Sequence, residues 1–209
     1  MFKEFQQFTL KIVDLVNSPG KTQRIIRGTV ASPMILKDFE VVSQLLEAKG
    51  FFAGSLGEIS VRTSGGKMLV APGGIPISRM TEESLLTVVI DSGGIDEDLF
   101  LPKHIEWHRR IYQHSLANAV VLCQPTFACI MSRQGRKPEK EIFIDAYELV
   151  EITQCVKAQD IHFNEKVENQ GVLLIDSGGV LVWESDLDIL ISQIEILERL
   201  CEISVKSAR

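Results

Sequence analysis

The sequence predicts an α/β protein, a three-layer α/β/α sandwich whose central sheet is mixed but mainly antiparallel. Two observations predict it. Turns that contain serine and glycine join short runs of Val, Ile and Leu, and tight turns of this kind connect antiparallel strands. Segments with apolar residues at helical spacing lie between these runs, so that helices can cover both faces of the sheet. With 209 residues, of which 45% are hydrophobic, the chain is long enough for one domain with a sizeable core.

Residues 1–30 are expected to add a helix and a basic loop to the main domain, which covers residues 31–209. Phe2–Val16 has apolar residues on or near one helical stripe, and the turn sequence that follows it ends the helix. Lys21–Ala31 contains cations and no acid. The apolar stripe of Phe2–Val16 must be buried either on its own domain or on a neighbouring subunit.

A β-hairpin with a glycine loop on each side is expected at the centre of the domain. A helix over Leu36–Lys49 precedes it, and its strands cover Glu58–Thr63 and Lys67–Ala71. The loops Ala53–Gly57 and Ala71-Pro72-Gly73-Gly74 would place backbone N–H groups at one edge of the sheet, where such groups can bind an anion. Ordinary turns are the alternative interpretation, because glycine is common in all tight turns.

Further strands and helices alternate along the rest of the chain. Buried strands are expected at Leu85–Ile90, Ala119–Leu122, Val172–Ile175 and Val180–Trp183. Pro102 stands at the entrance to a helix over Lys103–Ala117, and Ser185 is a candidate N-cap of a long final helix.

The stretch between residues 127 and 157 has weaker patterns. Phe127–Met131 begins an apolar element, and Arg133–Lys140 is a polar, basic loop. We expect Glu141–Ile144 to form a short strand that leads into a helix ending at Lys157.

Charge and motif content argue against several functional classes. A net charge of −6 disfavours nucleic acid or an acidic membrane as the main partner, and no apolar run approaches the ~20 residues of a membrane-spanning helix. The N-terminus lacks the apolar segment of a secretory signal, and the four cysteines show no CxxC spacing. We therefore expect a cytoplasmic protein with free thiols. P-loop, dinucleotide-binding and serine-hydrolase motifs are not found in the sequence.

The motifs around the hairpin follow a recognisable order. The first glycine loop leads into Glu58-Ile59-Ser60-Val61-Arg62, then Met68-Leu69-Val70-Ala71-Pro72-Gly73-Gly74, and then Arg79-Met80-Thr81 before an apolar strand that ends in Asp91. This order resembles the class II aldolase/adducin family from about Leu36 to the C-terminus. The resemblance implies the same three-layer fold and a homo-oligomer, which in the family is commonly a tetramer.

The histidines that hold the family's metal are missing. Members bind a divalent metal such as zinc through a His-x-His before a Pro-aromatic-Ala sequence and through an Asn-His-Gly before a Val-Leu run. The metal acts as a Lewis acid that stabilises an enediolate. Matching Phe127-Ala128 to the aromatic-Ala pair puts Leu122 and Gln124 at the first two ligand positions, and Asn169-Gln170-Gly171 puts Gln170 at the third. Leucine cannot ligate and amide oxygens are weak zinc ligands, so no metal cofactor is predicted.

The predicted anion loops depart from the family pattern as well. Glu58 stands where members carry an asparagine beside the substrate phosphate, and Gly73 stands where they carry a serine. A carboxylate at close range repels a phosphate when water is excluded. These substitutions argue against a phosphorylated ligand.

Two residues are candidates for acid–base chemistry. A Glu-Trp pair carries the family's catalytic carboxylate, and Glu106 precedes Trp107 here, but counting back from Ile111-Tyr112 puts His104 at that position. Both assignments stay open. His108 is expected to be a packed helix residue. A metal site rebuilt from His104, His108 and Cys123 is a further alternative.

These observations favour a family member that has lost metal-dependent aldol cleavage and acts as a binding or assembly module. The two glutamines are expected to share one pocket with the glycine loops and to bind a small polar ligand. The candidate ligand-binding residues are Gly54, Ser55, Gly57, Glu58, Gly73, Gly74, Gln124 and Gln170. One alternative is an active sugar or sugar-phosphate aldolase, epimerase or dehydratase with a relocated or absent metal. Another is a purely structural homo-oligomer in which Phe2–Val16 seals the subunit contacts.

Overall fold

The computed structural model describes residues 25–27, 33–91, 100–150, 152–163 and 167–207. The predicted helix Phe2–Val16 and most of the turn that begins at Asp91 lie outside these residues. The described helices are α1 (Pro33–Ala48), α2 (Ile105–His114), α3 (Thr126–Arg133), α4 (Ile144–Glu148) and α5 (Leu187–Ser207). None of them combines the length and apolar character that a membrane span requires.

Eight strands of the described part form one mixed sheet. They are β1 (Ile25–Arg27), β2 (Glu58–Thr63), β3 (Lys67–Val70), β4 (Leu86–Val89), β5 (Ala119–Cys123), β6 (Ile152–Lys157), β7 (Gly171–Asp176) and β8 (Gly179–Glu184). Their order is β1-β4-β3-β2-β5-β8-β7-β6. Every neighbouring pair is antiparallel except β6 and β7, which are parallel. The predicted mixed, mainly antiparallel sheet is therefore confirmed.

Helices cover both faces of this sheet, so the predicted three layers are present. On one face, α1, α3 and α5 pack in an apolar cluster with alternate strand residues such as Ile59 and Val121. On the other face, α2 packs in a second cluster with the neighbouring residues Val120 and Leu122. Side chains alternate along a strand, so Glu58 and Ser60 of β2 lie on the α2 side.

The prediction for residues 141–157 is wrong in detail. A 3₁₀ turn covers Lys140–Ile142, the short helix α4 follows, and Ile152–Lys157 is the strand β6 instead of the end of a helix. This segment, Ile-Thr-Gln-Cys-Val-Lys, is rich in β-branched residues. Such residues favour a pleated surface, and pairing with β7 decides the outcome over any local helical spacing.

The N-cap of the final helix is Asp186, not Ser185. The Oδ1 atom of Asp186 accepts hydrogen bonds from the N–H groups of Asp188 at 2.8 Å and Ile189 at 3.3 Å. The hydroxyl of Ser185 donates instead to Glu184 Oε1 at 2.7 Å. Because Ser185 is held by the end of β8, the chain turns into the helix one residue later than expected.

The strand register defines two opposite edges of the sheet. Glu58 pairs with Leu122, Cys123 with Val180, and the β7–β8 turn lies beside that pair. The beginnings of β2, β4 and β8 and the ends of β3, β5 and β7 therefore meet at one edge, which we call the glycine edge. The opposite edge contains the β2–β3 turn and the start of β7.

Candidate functional site

Both predicted glycine loops lie at the glycine edge. Ala53–Gly57 comes directly before β2, and Gly54 has a φ of +63°, which favours glycine. The second loop follows β3, and Gly73 donates its N–H to Phe100 O at 2.8 Å. A Cβ atom on Gly73 would lie only 2.7 Å from Leu101 O. The second loop is thus packed against residues 100–102, and the N–H of Gly73 is already used.

Gln124 closes the first glycine loop with its side-chain amide. Its Oε1 atom accepts the N–H of Ala53 at 3.2 Å, and its Nε2 atom donates to Leu56 O at 3.3 Å. Its own backbone N–H donates to Phe51 O at 2.7 Å. We call this arrangement the Gln124 clamp. Both polar atoms of the amide are therefore engaged with the backbone of one loop.

Gln170 does not reach this site. Gly171 pairs with Trp183, whereas Cys123 pairs with Val180 at the other end of β8. Three residues of extended strand span about 10 Å, so Gln124 and Gln170 lie at opposite edges of the sheet. The expected pocket between the two glutamines is therefore not formed. The physical reason is that Asn169-Gln170-Gly171 lies at the start of β7, whereas the glycine edge lies at the end of β7.

A different turn occupies the corresponding position at the glycine edge. Ser177-Gly178-Gly179 forms the turn from β7 into β8, and it comes directly before the Val180-Leu181 run. Ser177 has a φ of +59°, and Arg133 Nη1 donates to Ser177 Oγ at 2.8 Å and to Asp176 Oδ1 at 3.1 Å. We infer that Gly178, rather than Gln170, stands at the third ligand position, because Gly179 directly precedes Val180-Leu181 as the motif requires. The sequence feature that could have identified this position is the glycine turn that directly follows the apolar run of β7.

The carboxylate of Glu58 lies at the N-terminus of α2. Its Oε1 atom is 2.8 Å from His104 Nδ1, and the backbone N–H of His104 is 3.3 Å from both carboxylate oxygens. Glu58 is 6% exposed. We call this arrangement the Glu58 seat. Of the two candidates for acid–base chemistry, His104 is the one that contacts Glu58.

A buried hydrogen-bond network continues from the seat along α2. His108 is fully buried, and its Nδ1 atom lies 2.7 Å from Ser60 Oγ. The hydroxyl of Tyr112 donates to Ser60 O at 2.9 Å. On the other side of the ring, His108 Nε2 lies 3.5 Å from Glu58 Oε2 and has no hydrogen-bond partner within the described residues. One buried nitrogen thus faces the carboxylate without a good hydrogen bond.

The electrostatics of the seat favour an ionised carboxylate. Burial raises the pKa of Glu58, but the His104 hydrogen bond and the nearby His108 ring outweigh burial and lower it to about 2. Burial raises the pKa of Tyr112 well above its usual value, against the opposing hydrogen bond from Ser60. At neutral pH the network therefore contains a carboxylate and a neutral phenol.

Glu106 lies away from this network. It forms an ion pair with Arg109 Nη1 at 2.5 Å, and its side chain is 54% exposed. His104 instead stacks on Trp107 with 4.2 Å between the ring centroids. Side chains two residues apart on a helix point in different directions, so His104 and Glu106 cannot both face Glu58.

The donor set does not fit the divalent metal of the resembled family. Leu122 packs in the apolar cluster under α2, and the amide of Gln124 is used by the clamp. The rebuilt site of His104, His108 and Cys123 is not formed, because Cys123 packs on the opposite face of the sheet. Burial raises the pKa of the Cys123 thiol well above its usual value. Among the residues described by the structure, no group of three or more His, Cys, Asp or Glu side chains could hold a metal ion.

Comparison with known proteins gives one family match and several similar structures. The profile of the Class II Aldolase and Adducin N-terminal domain matches residues 38–205. L-fuculose-1-phosphate aldolase from Thermus thermophilus superposes with a TM-score of 0.69 at 22% identity, over 84% of this chain and 95% of that chain. YgbL from Klebsiella pneumoniae has a TM-score of 0.70 at 19% identity, over 87% of this chain and 93% of that chain. A sugar-phosphate aldolase from Thermotoga maritima has a TM-score of 0.59 at 16% identity, over 84% of this chain and 98% of that chain. Curated protein sequences gave no significant match.

Proposed function

This chain belongs to the class II aldolase and adducin family, and we propose that it uses the family scaffold to bind a small polar ligand without a divalent metal. In this proposal, metal-dependent aldol cleavage has been lost. The binding site is the glycine edge, with Gly54, Ser55 and Gly57 from the first loop and Gly73 and Gly74 from the second.

The Gln124 clamp is the observation that carries the proposal. A metal at the second ligand position would need the Oε1 atom of Gln124 to point at it, but hydrogen bonds at both ends of that amide, at 3.2 and 3.3 Å, orient it toward the loop backbone. Turning the amide toward a metal would break both hydrogen bonds, each worth about 1 kcal/mol. A neutral amide oxygen would offset little of that loss, because zinc prefers imidazole, thiolate and carboxylate.

Metal analysis of the protein purified without chelators tests this proposal directly. We expect far less than one equivalent of zinc, manganese or iron per chain. A stoichiometric, tightly held ion would overturn the proposal.

A pair of histidine-restored variants provides the matched control. In the first, Leu122→His and Gln124→His are combined with Gly178→His; in the second, the same two changes are combined with Gln170→His. Because Gly178 lies at the glycine edge and Gln170 at the opposite edge, only the first combination should gain zinc affinity. A gain in the Gln170→His combination would contradict our placement of the third position.

A metal-independent proton-transfer enzyme is the second candidate function. It is favoured by the His104 imidazole, whose Nδ1 atom is held by Glu58 at 2.8 Å and whose side chain is 25% exposed. Within the described residues, Nε2 of this ring has no hydrogen-bond partner. A carboxylate that orients one nitrogen leaves the other free to act as a base, so an aldolase, epimerase or dehydratase step on a sugar-derived substrate could use it.

Solvent deuterium exchange and retro-aldol assays separate the two functions. A panel of free and phosphorylated ketoses should show no turnover if the protein is a binding module. Turnover that disappears in His104→Ala, but persists in His114→Ala at the end of the same helix, would establish the enzyme instead.

We also propose a cytoplasmic homo-oligomer, with a tetramer as the arrangement expected from the family. Three large apolar side chains beside or within α4 support this proposal, because Phe143, Ile144 and Leu149 are each more than half exposed. Light scattering of the purified protein tests it. A monomeric mass across the accessible concentration range would overturn it.

A further inference from the structure

The Glu58 carboxylate occupies a place that the fold prepares for an anion. The first N–H groups of a helix have no partners within the helix, and the helix dipole attracts negative charge to them. At α2, the His104 N–H lies 3.3 Å from both oxygens of Glu58, and His104 Nδ1 lies 2.8 Å from one of them. Backbone and side chain of one residue thus bind the same carboxylate.

A third donor faces the same carboxylate from inside the protein. When the Ser60 hydroxyl donates to His108 Nδ1, the proton of the neutral ring is on Nε2. This atom is fully buried and has no hydrogen-bond partner among the described residues, and Glu58 Oε2 is 3.5 Å away. A buried donor is normally satisfied. The seat therefore offers one donor that the carboxylate of Glu58 does not bind with good geometry.

We propose that this seat is an anion-binding site that the chain fills with its own Glu58, so that the glycine edge excludes phosphate and carboxylate ligands and takes an uncharged polar ligand. This inference concerns the ligand class of the proposed binding site and therefore rests on the proposed function. Glu58 is ionised at neutral pH because its pKa is about 2. A second anion about 4 Å away at the dielectric constant of a protein surface would bind roughly a thousandfold more weakly.

Phosphate titration of Glu58 variants tests the inference. Inorganic phosphate is added to the full chain, with a chelator present, and binding is followed by calorimetry. The wild-type protein should show no saturable binding at millimolar phosphate. Glu58→Ser removes the charge and empties the seat, so phosphate should bind about a hundredfold more tightly or better. Adding His104→Ala to Glu58→Ser should remove most of that gain.

The matched control is Glu195→Ser, which removes an acid of α5 that pairs with Lys49 at the surface. It changes the net charge of the protein equally but leaves the seat occupied, so phosphate affinity should stay at the wild-type level. Equal gains in Glu195→Ser and Glu58→Ser would mean that only net charge matters and would overturn the inference.

Two further results would overturn it. One is saturable phosphate binding by the wild-type protein, and the other is a folded Glu58→Ser protein that does not bind phosphate. If Glu58→Ser does not fold, Glu58→Gln keeps the volume without the charge, and phosphate should then shift the NMR signals of the His104 and His108 rings. Unmoved ring signals count against the inference. Because the chelator removes metals, a negative result here is distinct from finding a metal in the native protein.

Discussion

The Gln124 clamp and the Glu58 seat lie at the same sheet edge, on the paired strands β5 and β2, but they differ in how well their polar atoms are satisfied. The clamp is neutral, and both ends of its amide form hydrogen bonds with one loop. The seat holds a buried charge between two imidazoles, and it leaves His108 Nε2 without a hydrogen bond in the described structure. A fully satisfied group is what a scaffold requires.

This difference indicates which of the two arrangements has ligand-binding potential. At the clamp, both polar atoms of the amide already have a hydrogen-bond partner, so a ligand gains less there. At the seat, a ligand or a rearrangement of Glu58 can gain an interaction that the resting structure lacks. Buried, charged and incompletely paired groups are enriched at functional sites for this reason. Gln124 is therefore part of the loop structure, whereas a buried nitrogen beside Glu58 still lacks a hydrogen bond in the described structure.

Removing the charge from the seat should produce the largest stability change. In Glu58→Leu, the imidazoles of His104 and His108 and the first N–H of α2 lose their shared partner. Hydrogen bonds to a charged group contribute about 1.5–3 kcal/mol each, so urea unfolding should show a loss of about 3–5 kcal/mol. Glu195→Leu, at an exposed ion pair, should cost about 0.5 kcal/mol or less. A loss of about 2 kcal/mol or less for Glu58→Leu would make the seat no more stabilising than the clamp.

Acid should remove the stabilisation that the seat provides. The pKa of Glu58 is lowered in the folded protein from 4.5 to about 2, so its contribution is fully present above about pH 4.5 and is lost as the pH falls toward 2. The two pKa values correspond to about 3 kcal/mol. Urea unfolding of the wild-type protein and of Glu58→Gln, measured across this window, should differ in slope. Parallel curves would show that another group dominates acid unfolding.

The order of strands and turns made most of the fold predictable from the sequence. Ser64-Gly65-Gly66 and Asp176-Ser177-Gly178-Gly179 join antiparallel strands as expected, because short glycine turns specify a local return. The strand β6 was missed because its partner β7 is parallel and lies beyond an intervening connection. Local spacing contains no information about such a distant pairing.

The candidate site was predictable in its location but not in its contacts. The glycine loops, Glu58 and Gln124 were all expected near one sheet edge, and the register brings them there. The sequence could not show that Gln124 would bind its neighbouring loop, because that contact joins residues 71 positions apart. Gln170 was misplaced because one Gly-Val-Leu sequence begins β7 and another begins β8, and only the sheet register distinguishes the two edges.

The clamp should contribute less to stability than the seat. Gln124→Ala removes two hydrogen bonds between uncharged groups, and we expect a loss of about 1–2 kcal/mol in urea unfolding. The N–H of Ala53 should then exchange faster with deuterium, because its acceptor is gone. Gln113→Ala, which removes one hydrogen bond to Ile90 O at 3.1 Å, serves as a comparison. Unchanged exchange at Ala53 would mean that the loop does not depend on Gln124.

The smallest effect is expected at the third polar group of the glycine edge. Arg133 donates to Asp176 and Ser177, but its side chain is 71% exposed, and exposed ion pairs add little to stability. Arg133→Ala should therefore leave the urea midpoint unchanged, while the pKa of Asp176, which hydrogen bonds from Ser177 and Arg133 lower, should rise toward its usual value in an NMR titration. A clear loss of stability in Arg133→Ala would show that the exposure of a side chain at this edge does not predict how much it stabilises the fold. The difference between clamp and seat would then need an explanation other than burial.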